Sequence, residues 1–346
     1  MRTAFLFAST IVAATPASAI VTYDQPDQYE ISSGIGIAAL VAKFEGGESR
    51  CTGALIEDNA VVTAAHCLDS MQSRGALIST TISFDGSSTG ITVLERDVEI
   101  NDTWTGDVFD SPADIAVVRL PKDATINAAP FALPTFELDF RPIGIQLAGY
   151  GEAGQGSVDP ALTPAFDDPR PLRIGFNHYD EIPPFADAYW YDWLLYDFDD
   201  FTTPNNVLGE PGWITLPDGT LAITELDYDF DGVSVFGESM IARGDSGGPS
   251  YFDNILVGIH SWVSAEPDFG VRGQDGIYPA AQGPEDVEFG WVGADVQVAR
   301  YTDWIRQAAA GPLDPPSAVP APPAAALLMT GFALLVTRRR RRKCKK

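Results

Sequence analysis

Between Gly34 and Leu147 the apolar positions fall in short runs rich in Val, Ile and Thr, broken repeatedly by Gly, Asp, Asn and Pro. The runs at Ile37–Lys43, Ala60–Ala64, Thr81–Phe84, Ile91–Leu94, Ile115–Leu120 and Ile145–Ala148 are too short for stable helices, and their β-branched content suits a pleated, half-buried strand. Many short strands joined by turns predict antiparallel barrels or sandwiches rather than βαβ units. The rhythm returns at Ile255–Ser264 and Asp295–Val298. A short amphipathic helix is predicted at Ala299–Ala310, where Tyr301, Trp304 and Ile305 fall at three- and four-residue spacing. Between Gly151 and Met240 the pattern gives way to acids and aromatics, including Tyr189-Trp190-Tyr191 and Asp197-Phe198-Asp199-Asp200. That stretch is too aromatic for simple disorder and reads as an insertion over residues 152–239.

Composition narrows the picture. A chain of 346 residues can bury a sizeable core. Its 48 acidic and 22 basic side chains give a net charge of −26, and eight of the basic residues are confined to Arg338–Lys346. So negative a body repels phosphate backbones, which excludes nucleic acid as a partner, and favours solubility in salt.

The two ends read as targeting segments. Arg2, the apolar stretch Ala4–Ala14 and then Ala17-Ser18-Ala19 follow the order of a secretory signal, so residues 1–19 are expected to be removed by signal peptidase after Ala19. In an oxidising compartment Cys51 and Cys67 should pair, for about 3 kcal/mol in the chain-entropy model, leaving Cys344 alone in the tail. Residues 312–323 form a Pro- and Ala-rich linker with the sorting motif, 324–337 an apolar segment expected to be a transmembrane helix, and 338–346 a basic tail held in the cytoplasm.

Three segments carry the chemistry. Gly244-Asp245-Ser246-Gly247-Gly248-Pro249 sets a hydroxyl among glycines. A serine hydroxyl is a weak nucleophile at neutral pH and needs a base to take its proton. It also needs donors for the oxyanion that forms, and the amides of Gly244 and Ser246 are the candidates. Val61-Val62-Thr63-Ala64-Ala65-His66-Cys67 ends a β-rich run on a histidine beside a cysteine, so His66 is the candidate base. Asp114 heads the apolar run Ile115–Leu120, where a carboxylate can orient an imidazole and stabilise its charged form.

In the order His66, Asp114, Ser246 these motifs resemble the trypsin and chymotrypsin family of serine proteases, over about Ile37–Ala310. The resemblance implies an all-β fold of two six-stranded antiparallel barrels with a closing C-terminal helix, and here a long insertion in the second half. The protease domain would span residues 20–311. The implied activity is hydrolysis of protein or peptide substrates through an acyl-enzyme, with no cofactor required. Ser261 and Trp262, in Gly258-Ile259-His260-Ser261-Trp262, resemble the strand lining the primary specificity pocket, with Val263 beside them and Met240 at the pocket base. Neither Met240 nor Val263 suits a strict Lys or Arg preference, although Asp295 or Glu238 could bring negative charge. A small or medium apolar residue before the scissile bond is expected. His260 reads as a packed strand residue. The resemblance also implies that a new terminus at Ile20-Val21 pairs with Asp245.

Two further motifs remain. Asp227, Asp229, Asp231 and Glu238 match the spacing of a calcium loop, although Leu221–Leu226 makes a poor entering helix. Val319-Pro320-Ala321-Pro322, followed by the apolar segment and the basic tail, resembles the PEP-CTERM class of bacterial envelope sorting signals. It implies an exosortase-type partner and a secreted or envelope-associated location. The rival reading is a protease-fold surface protein that has lost catalysis and binds a partner through its aromatic, acidic insertion.

Overall fold

The protein is described by a computed structural model. The structure describes residues 20–22, 30–31, 35–57, 59–70, 74–109, 111–135, 143–155, 170–179, 192–198, 213–215, 221–223, 238–264 and 291–311. The strands of the first half are β1 (Ile20–Thr22), β2 (Glu30–Ile31), β3 (Ile37–Phe44), β4 (Gly47–Ile56), β5 (Ala60–Thr63), β6 (Leu77–Ser83), β7 (Ile91–Leu94), β8 (Val98–Ile100) and β9 (Ala116–Arg119). Those that follow are β10 (Ile143–Gly149), β11 (Ala153–Gln155), β12 (Leu172–Tyr179), β13 (Trp193–Phe198), β14 (Trp213–Thr215) and β15 (Leu221–Ile223). The last are β16 (Ser239–Met240), β17 (Pro249–Phe252), β18 (Ile255–Ser264) and β19 (Trp291–Gln297), before the helix α1 (Val298–Ala310).

Fourteen of these strands build two barrel-like sheets, one nearly closed and one a half-barrel, while β11-β1-β16 and β14-β15 form two small sheets. The first runs β7-β6-β3-β4-β5-β9-β8 and the second β13-β19-β18-β17-β10-β12-β2. Each counts seven strands where six were expected, because short edge strands such as β8 and the two-residue β2 pair at the rims. The first sheet is antiparallel throughout; its Val-rich inner strands β5 and β9 are almost wholly buried, whereas the edge strands β7 and β8 are partly exposed.

Residues 152–239 hold more than a surface decoration. β12 pairs with β10 over Arg173–Tyr179, and β13 pairs with β19, so both are structural members of the second sheet. Every residue of β13 is buried. Alternation shows why: Trp193 and Leu195 join the larger core cluster, which includes the first sheet, whereas Leu194, Tyr196 and Phe198 join a second cluster with Ile20, Leu147 and Met240. A strand buried on both faces has no period-two polarity, and Asp197 inside it disguises the run as an acidic loop.

Val298, Thr302, Ile305 and Ala308 form the buried stripe of α1, with Tyr301 and Trp304 packed at its margins. Arg119 donates from Nη1 to the carbonyl of Ala308 at 2.9 Å, satisfying one of the orphan acceptors at the helix end, and Gly311 follows with φ of +76°. Tyr301 donates to the carbonyl of Pro112 at 3.1 Å, which ties α1 to the segment leading into Asp114. No described helix is long and apolar enough to cross a membrane, and residues 324–337 lie outside the described set.

Truncating the side chain of fully buried Ile305 removes the centre of this stripe. Ile305→Ala is expected to cost about 3 kcal/mol in urea unfolding, with the m-value unchanged; a cost below about 1 kcal/mol would show that α1 is not docked as described.

Candidate active site

β5 ends in a single 3-10 turn, Ala65–Cys67, and this turn carries His66 at the surface of the first sheet. The disulfide Cys51–Cys67 fixes the turn to β4 across a sequence separation of 16. Asp114 is fully buried and sits just ahead of β9. Its Oδ2 lies 2.7 Å from His66 Nδ1, and its Oδ1 accepts the His66 backbone N–H at 2.8 Å. Ser261 Oγ donates to Oδ2 at 2.6 Å. A carboxylate facing Nδ1 holds the proton on that nitrogen and leaves a lone pair on Nε2, the tautomer of a base.

Ser261 reaches Asp114 because β18 is irregular there. His260 pairs with Asp295 and Trp262 with Ala294, so Ser261 is the extra residue of a bulge. A bulge re-aims a side chain, and this one aims at the carboxylate. Trp262 is next in sequence; Phe109 lies tilted against it at 5.3 Å and Trp193 meets it edge-on at 5.7 Å.

The loop between β16 and β17 carries Ser246. Within it Asp245 N–H donates to Ala242 O at 3.0 Å, Gly247 N–H to His260 O at 2.7 Å and Gly248 N–H to Asp245 O at 2.8 Å. The N–H groups of Gly244 and Ser246 donate to no acceptor among the described residues. Gly244 and Gly247 have φ of +97° and +78°, the left-handed region that suits glycine. A Cβ on Gly247 would stand 2.0 Å from Thr63 Oγ1 and 2.5 Å from Thr52 O.

Thr52, which the strand pattern did not single out, clamps this loop to the first sheet. Its N–H donates to Ser246 O at 2.9 Å, and its hydroxyl donates to Gly244 O at 2.9 Å while accepting the Tyr150 N–H at 3.1 Å. Cys67 Sγ lies 3.6 Å from Ser246 O and 3.8 Å from His66 Nε2. His66, Asp114 and Ser261 are therefore joined, and Ser246 stands beside them. Among the described residues no hydrogen bond links Ser246 Oγ to His66 Nε2.

Asp245 is fully buried beneath the loop. Its Oδ1 accepts from Gly151 N–H at 2.8 Å and its Oδ2 from Ala242 N–H at 2.9 Å. Burial raises its pKa from 3.8 to about 6; the N–H groups of Ala242 and Gly151, the charge of His260 and the N–H of Ile20 act in the opposite direction. Ile20 is fully buried, with β1 seated between β11 and β16, and it is the backbone N–H of Ile20 that acts on Asp245. Ile20 has φ of +67°, a strained value for a β-branched residue.

The expected pocket residues behave differently from one another. Met240 is fully buried and pairs with Val21, Trp262 is buried, and Val263 is half-buried. Asp295 is fully buried and committed: Tyr179 OH donates to Oδ2 at 2.6 Å, Ser250 Oγ donates to the same oxygen, and His260 Nδ1 lies 3.0 Å from Oδ1. His260 is thus part of a polar network linking β12, β17, β18 and β19. Glu238 is buried with its Oε1 3.7 Å from His178 Nδ1. Asp227, Asp229 and Asp231 lie outside the described residues.

Residues 35–163 match the family model described as Trypsin, a span that holds His66 and Asp114 and ends before Ser246. A solved structure described as HL collagenase aligns at 19% identity with a TM-score of 0.50, covering 82% of this chain and 98% of its own. The likeness shows the fold. The family match supports a trypsin-like reading of residues 35–163, and the structural likeness adds the fold alone.

Gly247→Ala should force both the φ and the contacts with Thr63 and Thr52. The expected loss is at least about 3 kcal/mol in thermal or urea unfolding, and a variant as stable as the wild type would contradict the loop conformation.

Proposed function

We propose that the chain is a secreted serine endopeptidase in which Ser246 is the nucleophile, His66 the base and Asp114 the group that orients it. The observation that carries this reading is the pair of N–H groups, on Gly244 and Ser246, that meet no acceptor among the described residues, together with an imidazole whose Nδ1 is held by a buried carboxylate. Substrate binding would bring Ser246 Oγ into line with Nε2. The hydroxyl oxygen then attacks the peptide carbonyl carbon while its proton passes to His66 Nε2, and the oxyanion takes the two free N–H groups. Asp114 stabilises the imidazolium. The proton is next delivered to the leaving amine, and water hydrolyses the acyl-enzyme by the same route in reverse.

The site of signal cleavage gives this reading its switch. Cutting after Ala19 converts the Ile20 amide into an ammonium already next to Asp245, with no further processing step. φ at Ile20 depends on the preceding carbonyl, so its strain, on the order of 1–3 kcal/mol, ends with that cut. At the other end, Val319–Pro322 and the segment behind it would be handled by an exosortase-type enzyme, leaving the protease at or beyond the cell surface.

An active-site-directed fluorophosphonate is expected to label the folded chain that begins at Ile20 and to fail on Ser246→Ala; Asp114→Asn should lower kcat by about 10⁴-fold. Absence of labelling in folded wild-type protein would instead support a non-catalytic binding protein.

A pH experiment tests the switch. In the chain that retains residues 1–19, the folded state binds the Asp245 proton more tightly than the unfolded state, because the pKa is raised from 3.8 to about 6. That group's contribution to stability therefore falls as pH rises through this window, by up to about 3 kcal/mol. In the chain beginning at Ile20 the ammonium compensates the carboxylate, and the fall should disappear. Equal pH dependence of the two forms would remove the Ile20–Asp245 pair from the account.

A further inference from the structure

The sulfurs of Cys51 and Cys67 and a ring nitrogen of His66 all lie within 4.8 Å of one another. His66 Nε2 stands 3.8 Å from Cys67 Sγ. While the disulfide is closed the sulfurs carry no thiolate, and the group binds nothing. Reduction changes the chemistry. Two thiolates and an imidazole around a common point suit a tetrahedral ion of intermediate softness such as zinc, whose bonds to sulfur and nitrogen measure about 2.3 and 2.0 Å.

The surroundings already suit such an ion. Metal-bound imidazoles characteristically donate their other N–H to a carboxylate, which fixes the ring and raises its basicity. His66 Nδ1 faces Asp114 Oδ2 in that way at 2.7 Å, and Asp114 is itself held by Ser261. Cys51 and Cys67 are buried, which shields the ligand sulfurs, whereas half-buried His66 leaves one side open for water to complete the coordination.

We propose that, as long as Cys51 and Cys67 are reduced, they and His66 hold one zinc ion, and that forming the disulfide expels the metal and frees the imidazole. The consequence rests on the reading of His66 as the base, since an Nε2 bound to zinc cannot take the proton of Ser246. The reduced chain is then inactive until it is oxidised. Release is a two-electron step: the two thiolates are oxidised to the Cys51–Cys67 disulfide, a disulfide-bearing oxidant is reduced to two thiols with uptake of two protons, and zinc leaves as the divalent ion.

Cobalt, a spectroscopic stand-in for zinc, tests the site without relying on activity. The full chain, reduced with a phosphine, should bind one cobalt ion with an intense sulfur-to-metal band, and zinc should displace it. The oxidised chain and Cys51→Ser should lack that band. Asp114→Asn should weaken binding by about 10- to 100-fold, and His66→Ala by at least as much. Zinc should also abolish peptide hydrolysis by the reduced chain and spare the oxidised one. If the oxidised chain hydrolyses nothing, the protease reading fails while the cobalt band still decides the site. No band, a band indifferent to His66→Ala and Asp114→Asn, or a reduced chain whose far-ultraviolet circular dichroism stays that of an unfolded protein with metal present would each overturn the proposal.

Discussion

A carboxylate taken out of water has to be met by donors on every side, and three such groups organise this molecule. Asp114, Asp245 and Asp295 are fully buried. Asp114 draws together His66 from the first sheet and Ser261 from the second. Asp245 draws in the amides of Ala242 and Gly151 and so sets the loop that presents Ser246. Asp295 gathers β12, β17 and β18 around its own strand. The cost of stranding any of these charges is what makes the relative placement of the segments specific. Thr52 adds a neutral clamp, binding both Gly244 and Ser246 through their carbonyls, while among the described residues their N–H groups meet no acceptor.

Much of this was legible in the sequence because its signals are local. β7 and β18 fall at the limits that their β-branched runs indicate, and α1 begins one residue ahead of its predicted start. The disulfide joins two cysteines only 16 positions apart, the pair that the sequence singled out. His66, Asp114 and Ser246 could be named because each sits in a short motif, and the all-β class follows from strand length and turn spacing. The resemblance named Ile20 and Asp245 as partners through a new terminus; the structure shows the backbone N–H of buried Ile20 acting on Asp245, and the ammonium belongs to the proposed function.

What stayed hidden depends on partners distant in the chain. β13 carries Asp197 in an otherwise apolar run, and only its burial on both faces distinguishes it from the acidic residues around it. Thr52 is one threonine among many in strands, and its four hydrogen bonds reach residues 11 to 194 positions away. His260 reads as a packed residue until β12 and β19 bring Tyr179 and Asp295 beside it. Asp295, a candidate for charge in the specificity pocket, is instead committed to three donors within the sheet, so negative charge available to a basic substrate does not follow from its presence. The bulge at Ser261 has no signature in sequence, because it exists only relative to the register of β19.

The proposed chemistry requires that Ser246, His66 and two amides converge on one reacting carbon. The most direct measurement is a crystal structure of the chain beginning at Ile20 after reaction with a peptidyl phosphonate. A single covalent bond to Ser246 Oγ is expected. One phosphoryl oxygen should stand about 2.7–3.1 Å from the N–H groups of Gly244 and Ser246, and His66 Nε2 should be within hydrogen-bond reach of the adduct. An adduct on another residue, or one on Ser246 whose oxygen points away from both amides, would contradict it.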